Sequence, residues 1–277
     1  GYFYLLYKIH KLESTDNTTK IPTRPVCSSC GSLDHPIGAW VNEKLQPVAQ
    51  AQPSYFKNSF ECLKLMKALD LQEGDLLFTA DAKSMYTNID TDIALKIIPE
   101  YLTKNEAKFG TYNAAALNAA LHIVFRNNLF KFGDRHAKQI RGTAMGKRPA
   151  PPWATTFYGI HESGDNGDDG LLVKFEDNLP FYKRYLDDII GIWRCRGTKI
   201  ENEERWREFV SVVGNFHGLE WVFTKRSIEG VVFMDMLLSI KNCKVVSTLY
   251  EKKLALFLYI PPHSAHPPGV LAGLIMG

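Results

Sequence analysis

Residues 181–193 read FYKRYLDDIIGIW, two apolar and aromatic arms around an adjacent pair of acids, Asp187 and Asp188. Short arms of this kind on either side of a polar centre are the pattern of a β-hairpin. A carboxylate set among apolar strand residues is costly to bury unless it stands exposed at the turn or beside a cation. Taken alone, the segment reads equally well as a polar hairpin tip, a common use of Asp.

A second segment shifts that balance. DLLFTADA, residues 75–82, is a short apolar run with a polar break after it, which predicts a buried strand ending at Asp81. The plain alternative for Asp81 is a strand-terminal or helix-capping residue. Two strand-end carboxylate sites, each flanked by aromatic and β-branched residues, are what a divalent-metal cage for phosphoryl transfer needs. Such a cage bridges two Mg²⁺ ions about 3.5–4 Å apart, one activating the attacking hydroxyl and the other neutralising the leaving pyrophosphate. Hard oxygen ligands suit Mg²⁺, whereas zinc would call for His or Cys.

Outward from these strands, the chain interleaves helices and strands irregularly. The opening through Arg24 reads as strand, loop and strand; residues 36–48 carry Ile37, Val41, Leu45 and Val48 at helical spacing. Ser59 is placed to cap a helix that ends before Gly74, and Asp90 to cap TDIALKIIPEYL. Residues 113–127 make a further helix with Ala115, Leu117, Leu121 and Val124 inward. GTAMGKRPAPPWATTFYG is a glycine and proline loop feeding a helical stretch, SGDNGDDG a surface loop, and residues 201–216 an amphipathic helix. From LEWVFTKR to LYEKKL the chain alternates like strands. Hairpins rather than repeated βα units favour an α+β fold with a mainly antiparallel sheet.

At 277 residues, with 45% hydrophobic and 23% charged residues, the chain can bury a substantial core. A formal charge of +3 excludes a dedicated nucleic-acid coat protein and decides nothing else. The basic pairs Lys8 with Lys11, Lys147 with Arg148, Lys183 with Arg184, Lys225 with Arg226 and Lys252 with Lys253 read first as solvated faces. Five cysteines without framework spacing argue for reduced thiols, and Cys27 with Cys30 lacks a second pair to complete a zinc site. No apolar run reaches transmembrane length, so no membrane partner is expected, and no targeting signal is visible. A start at Gly1 and an abrupt stop at Gly277 read as a piece of something longer.

The motifs together resemble a known family. YLDD at 185–188 looks like the YxDD box of reverse transcriptases, FTADAKSMYTNID at 78–90 is similar to their first catalytic motif, and GTAMGKRPAP at 142–151 resembles the glycine-rich motif under the nascent base pair. KIHK and RPVCSS near the start, with YIPPHSAHPPG near the end, are most similar to Penelope-like retroelement reverse transcriptases. A lone YxDD is weak; the ordered set spans nearly the whole chain.

The resemblance implies a right-hand polymerase: fingers over residues 1–75, a palm over 76–250 with fingers helices inserted at about 92–140, and a primer-grip end and start of a thumb over 251–277, the thumb being largely absent. Carried over, it makes Asp81, Asp187 and Asp188 the catalytic, metal-binding triad for two Mg²⁺ ions, with Mn²⁺ as a substitute. Ala82 and Lys83 would lie near the incoming triphosphate. Tyr86 falls at the steric-gate position, where a ring beneath the sugar leaves no room for a 2′-hydroxyl. Arg24 resembles the fingers arginine that meets the triphosphate. Lys8 and Lys11 are candidates for triphosphate or template phosphate, with solvated lysines as the alternative.

Met145 and Gly146 line the template base pair under one alignment of their motif, and Gln139 does under another. Lys225 matches a lysine that protonates pyrophosphate, although Arg226 or plain surface charge explains that segment equally well. Lys252 falls in the segment similar to the primer grip, and His266 in a signature read as a structural turn. Lys147, Arg148 and residues 153–156 depart from the family pattern.

The implied activity is RNA-directed DNA synthesis from dNTPs on an RNA template and DNA primer, in an intracellular and nuclear setting. Some relatives carry a C-terminal endonuclease, and none is visible here. Two rivals stand beside this reading. An RNA-dependent RNA polymerase would generally place a ribose-reading Asp near position 86. A lapsed polymerase-like module would bind nucleic acid without catalysis, yet gains nothing from carboxylates that repel phosphate.

Overall fold

The computed structural model describes residues 1–7, 23–165, 169–224, 226–251 and 273. In chain order its elements are β1 (Tyr2–Tyr7), β2 (Thr23–Ser28), α1 (His35–Gln50), α2 (Ser59–Lys67), β3 (Leu76–Ala82), α3 (Met85–Asn88), α4 (Thr91–Lys104), α5 (Glu106–Phe109) and α6 (Ala114–Arg126). There follow β4 (Leu129–Phe132), β5 (Arg135–Lys138), α7 (Ala150–Ser163), α8 (Leu171–Lys174), β6 (Phe181–Tyr185), β7 (Asp188–Trp193), α9 (Lys199–Gly214), β8 (Trp221–Phe223), β9 (Val231–Phe233), β10 (Met236–Lys241) and β11 (Lys244–Leu249). No helix among the described residues is long and apolar enough to cross a membrane.

The helices start where side-chain oxygens meet orphaned N–H groups. Asp90 accepts from the N–H of Asp92 and Ile93, Asn113 from that of Ala116, and Thr198 with Glu201 forms a reciprocal capping box. The cap of α2 is Asn58 rather than Ser59. Asn58 sits in extended backbone and its oxygen accepts from Glu61 N at 3.0 Å, which makes Ser59 the first helical residue. On α6 the inward row is Ala114, Leu117, Leu121 and Val124, and Ala115 is exposed. One residue is a rotation of about 100° on a helix, enough to turn Ala115 away.

The described strands form three sheets, in the orders β6-β7-β3-β8, β2-β1-β4-β5 and β11-β10-β9. Every strand pair is antiparallel except β1 with β4. The β4–β5 hairpin goes beyond the sequence reading, because its second arm, Arg135–Lys138, is polar and exposed throughout and lacks any apolar period.

Period-two alternation splits the central sheet into two faces. Phe78, Ala80 and Ala82 of β3, with Ile189 and Trp193 of β7, join the core formed with α1, α4, α6, α7 and α9. Leu77, Ile190, Ile192 and Phe181 face the other way, against Cys62 and Met66 of α2 and Val231, Phe233 and Leu238 of the third sheet. Phe78 is the hub of an aromatic cluster with Trp206, Phe209 and Phe223 at centroid distances of 5.1, 5.5 and 6.1 Å. Gly191 lies opposite it in the ladder, and a Cβ there would meet the Phe78 ring at 2.2 Å. Because that ring is walled in, Gly191→Ala is expected to cost about 1–3 kcal/mol, read as a lower urea midpoint at unchanged m value.

Three basic pairs read as solvated faces each contain a residue engaged inside the fold. Lys147 is buried, its ammonium 2.5 Å from Asp34 and 2.5 Å from the Val124 carbonyl. Arg184 is buried against Glu162. Arg226 likewise pairs with Glu203 and lies 4.5 Å over the Trp206 ring. In each case the partner is remote in the chain, so local charge counting could not see it. The five cysteines are free thiols, in line with the sequence reading.

Candidate active site

Asp81 and Asp188 face each other across the β3–β7 ladder. The neighbouring bond, Ala82 N to Asp187 O at 2.8 Å, leaves this pair at a position without ladder bonds of its own. There Cα atoms approach to about 4.5 Å and both side chains leave the same face. That face is the one lined further along by Leu77, Ile190 and Ile192, so the acids stand where the packing of α2 and the third sheet runs out. Tyr185, paired with Asp188 across β6–β7, shares the face and packs on Phe56.

The hairpin closes through Leu186 and Asp187. Leu186 has φ 55°, a left-handed conformation that a branched apolar residue rarely takes. Beside this turn opens a cavity of about 810 Å³. Tyr4, Leu6 and Arg24 of the first sheet line it together with Tyr86, Met145, Gly146 and Asp187. Tyr86 is half-buried; that burial, followed by the negative charge of Asp187 and then the influence of Tyr185, pushes its phenol up to about 12. It therefore stands as a neutral ring beside the turn.

Glycine geometry ties the loop of residues 142–149 to both β2 and α3. Thr143 N donates to the Tyr86 carbonyl at 2.5 Å, and Gly142, at φ 78°, comes so close to Thr87 that a Cβ would meet its carbonyl oxygen at 2.5 Å. Cys27 N donates to Met145 O at 2.7 Å, and a Cβ on Gly146 would meet the Cys27 carbonyl oxygen at 2.8 Å. Cys27 is on β2, the strand that carries Arg24, so the loop links the strand of Arg24 to the helix of Tyr86.

The structure thus gathers Arg24, Tyr86, Met145, Gly146 and Asp187 around one cavity and sets Asp81 beside Asp188. Ala82 and Lys83 lie at the end of β3, but their N–H groups are engaged by Asp187 O and Glu220 O, each at 2.8 Å. The Lys83 ammonium meets Glu220 at 2.8 Å on the surface. Gln139 borders a neighbouring cavity of about 320 Å³, with its amide bonded to Asn128 and the Arg141 carbonyl. Lys8, Lys11, Lys225, Lys252 and His266 lie outside the described residues. Tyr4 and Leu6 escaped the sequence reading as wall residues; the alternation in YFYLLY, which sends Tyr2, Tyr4 and Leu6 to one side, was the available signal.

Among the described residues, no group of three or more His, Cys, Asp or Glu side chains is gathered closely enough to hold a metal ion. The ladder supplies a facing pair, with Asp187 next along the chain on the cavity side. That donor set fits Mg²⁺, which is commonly held by one or two carboxylates and completed by substrate phosphates and water.

No protein-family model matches the sequence, and no curated protein matches it. Solved structures do. Telomerase from Candida albicans, in complex with a fragment of telomeric RNA, superposes with a TM-score of 0.57 at 10% identity, over 81% of this chain and 43% of its own. Telomerase from Candida tropicalis gives 0.55 at 12%, over 80% and 38%. The BmCPV RNA-dependent RNA polymerase in its elongation state gives 0.55 at 15%, over 78% and 20%. The chain therefore spans less than half the length of each.

Proposed function

We propose that this chain, which has the fingers-and-palm fold of right-hand nucleic-acid polymerases, is the catalytic part of a reverse transcriptase that extends a DNA primer along an RNA template. The observation that carries the reading is the facing pair Asp81 and Asp188, next to a cavity lined by Asp187, Tyr86 and Arg24. The division into fingers (1–75), palm (76–250) and primer-grip end (251–277), the Penelope-like retroelement origin and the nuclear setting belong to the same proposal.

In the reaction the primer 3′-hydroxyl gives up its proton to water, its oxygen bonds to the α-phosphorus of a dNTP, and the bond from that phosphorus to the β-phosphate bridging oxygen breaks to release pyrophosphate. Asp81 and Asp188, with Asp187 beside them on the cavity side, would hold Mg²⁺, which would supply charge neutralisation for the reacting oxygens. The chain's own residues mainly position the reactants. Arg24, which lines the same cavity, offers a planar fork to phosphate oxygens. Met145 and Gly146 present backbone and a flexible side chain to the nascent base pair. The Tyr86 ring, a neutral phenol, packs beneath the sugar without adding a charge near the triphosphate.

The fold is shared almost equally with an RNA-dependent RNA polymerase, at a TM-score of 0.55 against 0.57. That likeness keeps RNA synthesis as the second reading, and Tyr86 is what favours DNA. Mg²⁺-dependent extension of oligo(dT) on poly(rA) with dNTPs tests the first reading, and the same assay with rNTPs the second. Tyr86→Ala is expected to lower dNTP-over-rNTP selectivity by about 10–200-fold. Unchanged selectivity removes the gate from Tyr86.

A further inference from the structure

Beneath the Leu186–Asp187 turn lies a fully buried ion pair that the reaction scheme above does not use. Arg184 and Glu162 both have side chains at 0% exposure. The guanidinium grips the carboxylate with two prongs, Nε to Oε1 and Nη2 to Oε2, each at 2.8 Å. Tyr182 Oη donates to Oε1 at 2.9 Å, and Ser54 Oγ donates to Oε2. The rest of the fork points at backbone: Nη2 reaches Thr155 O at 3.1 Å, and Nη1 reaches Leu186 O at 3.0 Å. Below it the guanidinium rests 5.1 Å from the Tyr158 ring centroid.

A buried pair of this kind is weak evidence of stability, because desolvation offsets most of the attraction. What it provides here is direction. Glu162 is fixed on α7, in the helical core, and Arg184 is on β6, three residues before Asp187. The one prong left over holds the carbonyl of the residue whose left-handed φ starts the turn. A lysine in the same place could meet Glu162 but has no rigid fork to span carboxylate and carbonyl together.

We propose that Arg184 is a positioning residue of the active site: anchored by Glu162, it holds Leu186 in its strained conformation and thereby aims Asp187 and Asp188. This rests on the polymerase reading above. Two variants separate positioning from mere structure. Arg184→Lys keeps a cation for Glu162. The double variant Arg184→Met with Glu162→Gln buries no charge at all and leaves Tyr182 and Ser54 an acceptor.

Both variants are expected to unfold cooperatively and to bind primer–template with the parent's Kd, while kcat at saturating dNTP falls by about 10²-fold. Amide exchange at Ala82, whose N–H donates to Asp187 O, should speed up by about tenfold in each, reporting a loosened turn. A folded variant with the parent's kcat and the parent's exchange overturns the proposal. So does loss of any cooperative transition in both, which would make the pair a support of the fold rather than of the turn. The exchange measurement needs no catalysis. If the parent itself fails to extend any primer, the polymerase reading falls, while faster exchange in the variants would still establish the tether.

Discussion

Asp81→Asn and Asp188→Asn, made singly, should each cut primer extension by at least about 10²–10³-fold, the loss typical when one element of a preorganised electrostatic site is removed. Asp187→Ala should do the same. The reasoning is geometric: Asp81 and Asp188 are facing residues of one ladder, so neither can be replaced by a neighbour on its own strand, whose side chains leave the other face. The fold should not suffer. Asp81 is exposed and Asp188 half-buried, and Asn preserves the shape of each side chain. Melting temperatures are therefore expected to stay level, within the about 0.5 kcal/mol typical of surface changes. Steady-state extension on poly(rA) with thermal melts of each variant decides the matter. Parent-like extension by either Asn variant removes that residue from the site.

Replacing Lys147 with Met should have the largest effect on stability. Its side chain is 3% exposed, and the substitution strips Asp34 and the Val124 carbonyl of their donor. Breaking a buried pair from one side costs about 3–5 kcal/mol, a drop in Tm on the order of 10 °C for a chain of this size. The pH dependence gives a sharper test. Burial alone would raise the Asp34 pKa, but hydrogen bonds from Lys147 and Ser32 outweigh it and hold the carboxyl below its usual value of 3.8. A carboxyl depressed in the folded state stabilises above its unfolded pKa and loses that contribution as pH falls through the folded one. The gap between parent and Lys147→Met should therefore be full at pH 7 and narrow below about pH 4. Urea titrations at pH 7 and pH 3 measure it. A gap that does not change with pH means that Lys147 and Asp34 do not pair in solution.

These two predictions also mark what the sequence could and could not reveal. The strand-end acids were legible because period-two alternation and turn chemistry are local; FYKRYLDDIIGIW folds into the hairpin its pattern demands. The cap at Asp90 was legible for the same reason. Lys147 was not, because its partner Asp34 is brought to it by packing of α1 against α7 rather than by spacing along the chain. Arg184 was hidden likewise, its acid lying on α7. The second arm of the β4–β5 hairpin carries too little apolar surface to leave a period, and the hairpin is seated by β1 from the far end of the sequence. At the candidate site, strand-end chemistry drew attention to Asp81, Asp187 and Asp188 and the family resemblance to Tyr86, while the wall formed by Tyr4 and Leu6 required the sheet pairing to emerge.

The β3–β7 register also bears on which insertions and deletions this chain can tolerate. A single codon gained or lost between Leu76 and Asp81, or between Asp188 and Trp193, would rotate one acid into the helix-packed interior, because a slip of one residue exchanges the two faces of a strand. The tip at Gly133 and Asp134 carries no such constraint, since lengthening an exposed loop twofold costs only about 0.6 kcal/mol. Length variation among descendants of this sequence should accumulate at that tip and be purged from the two strands that bear the acids.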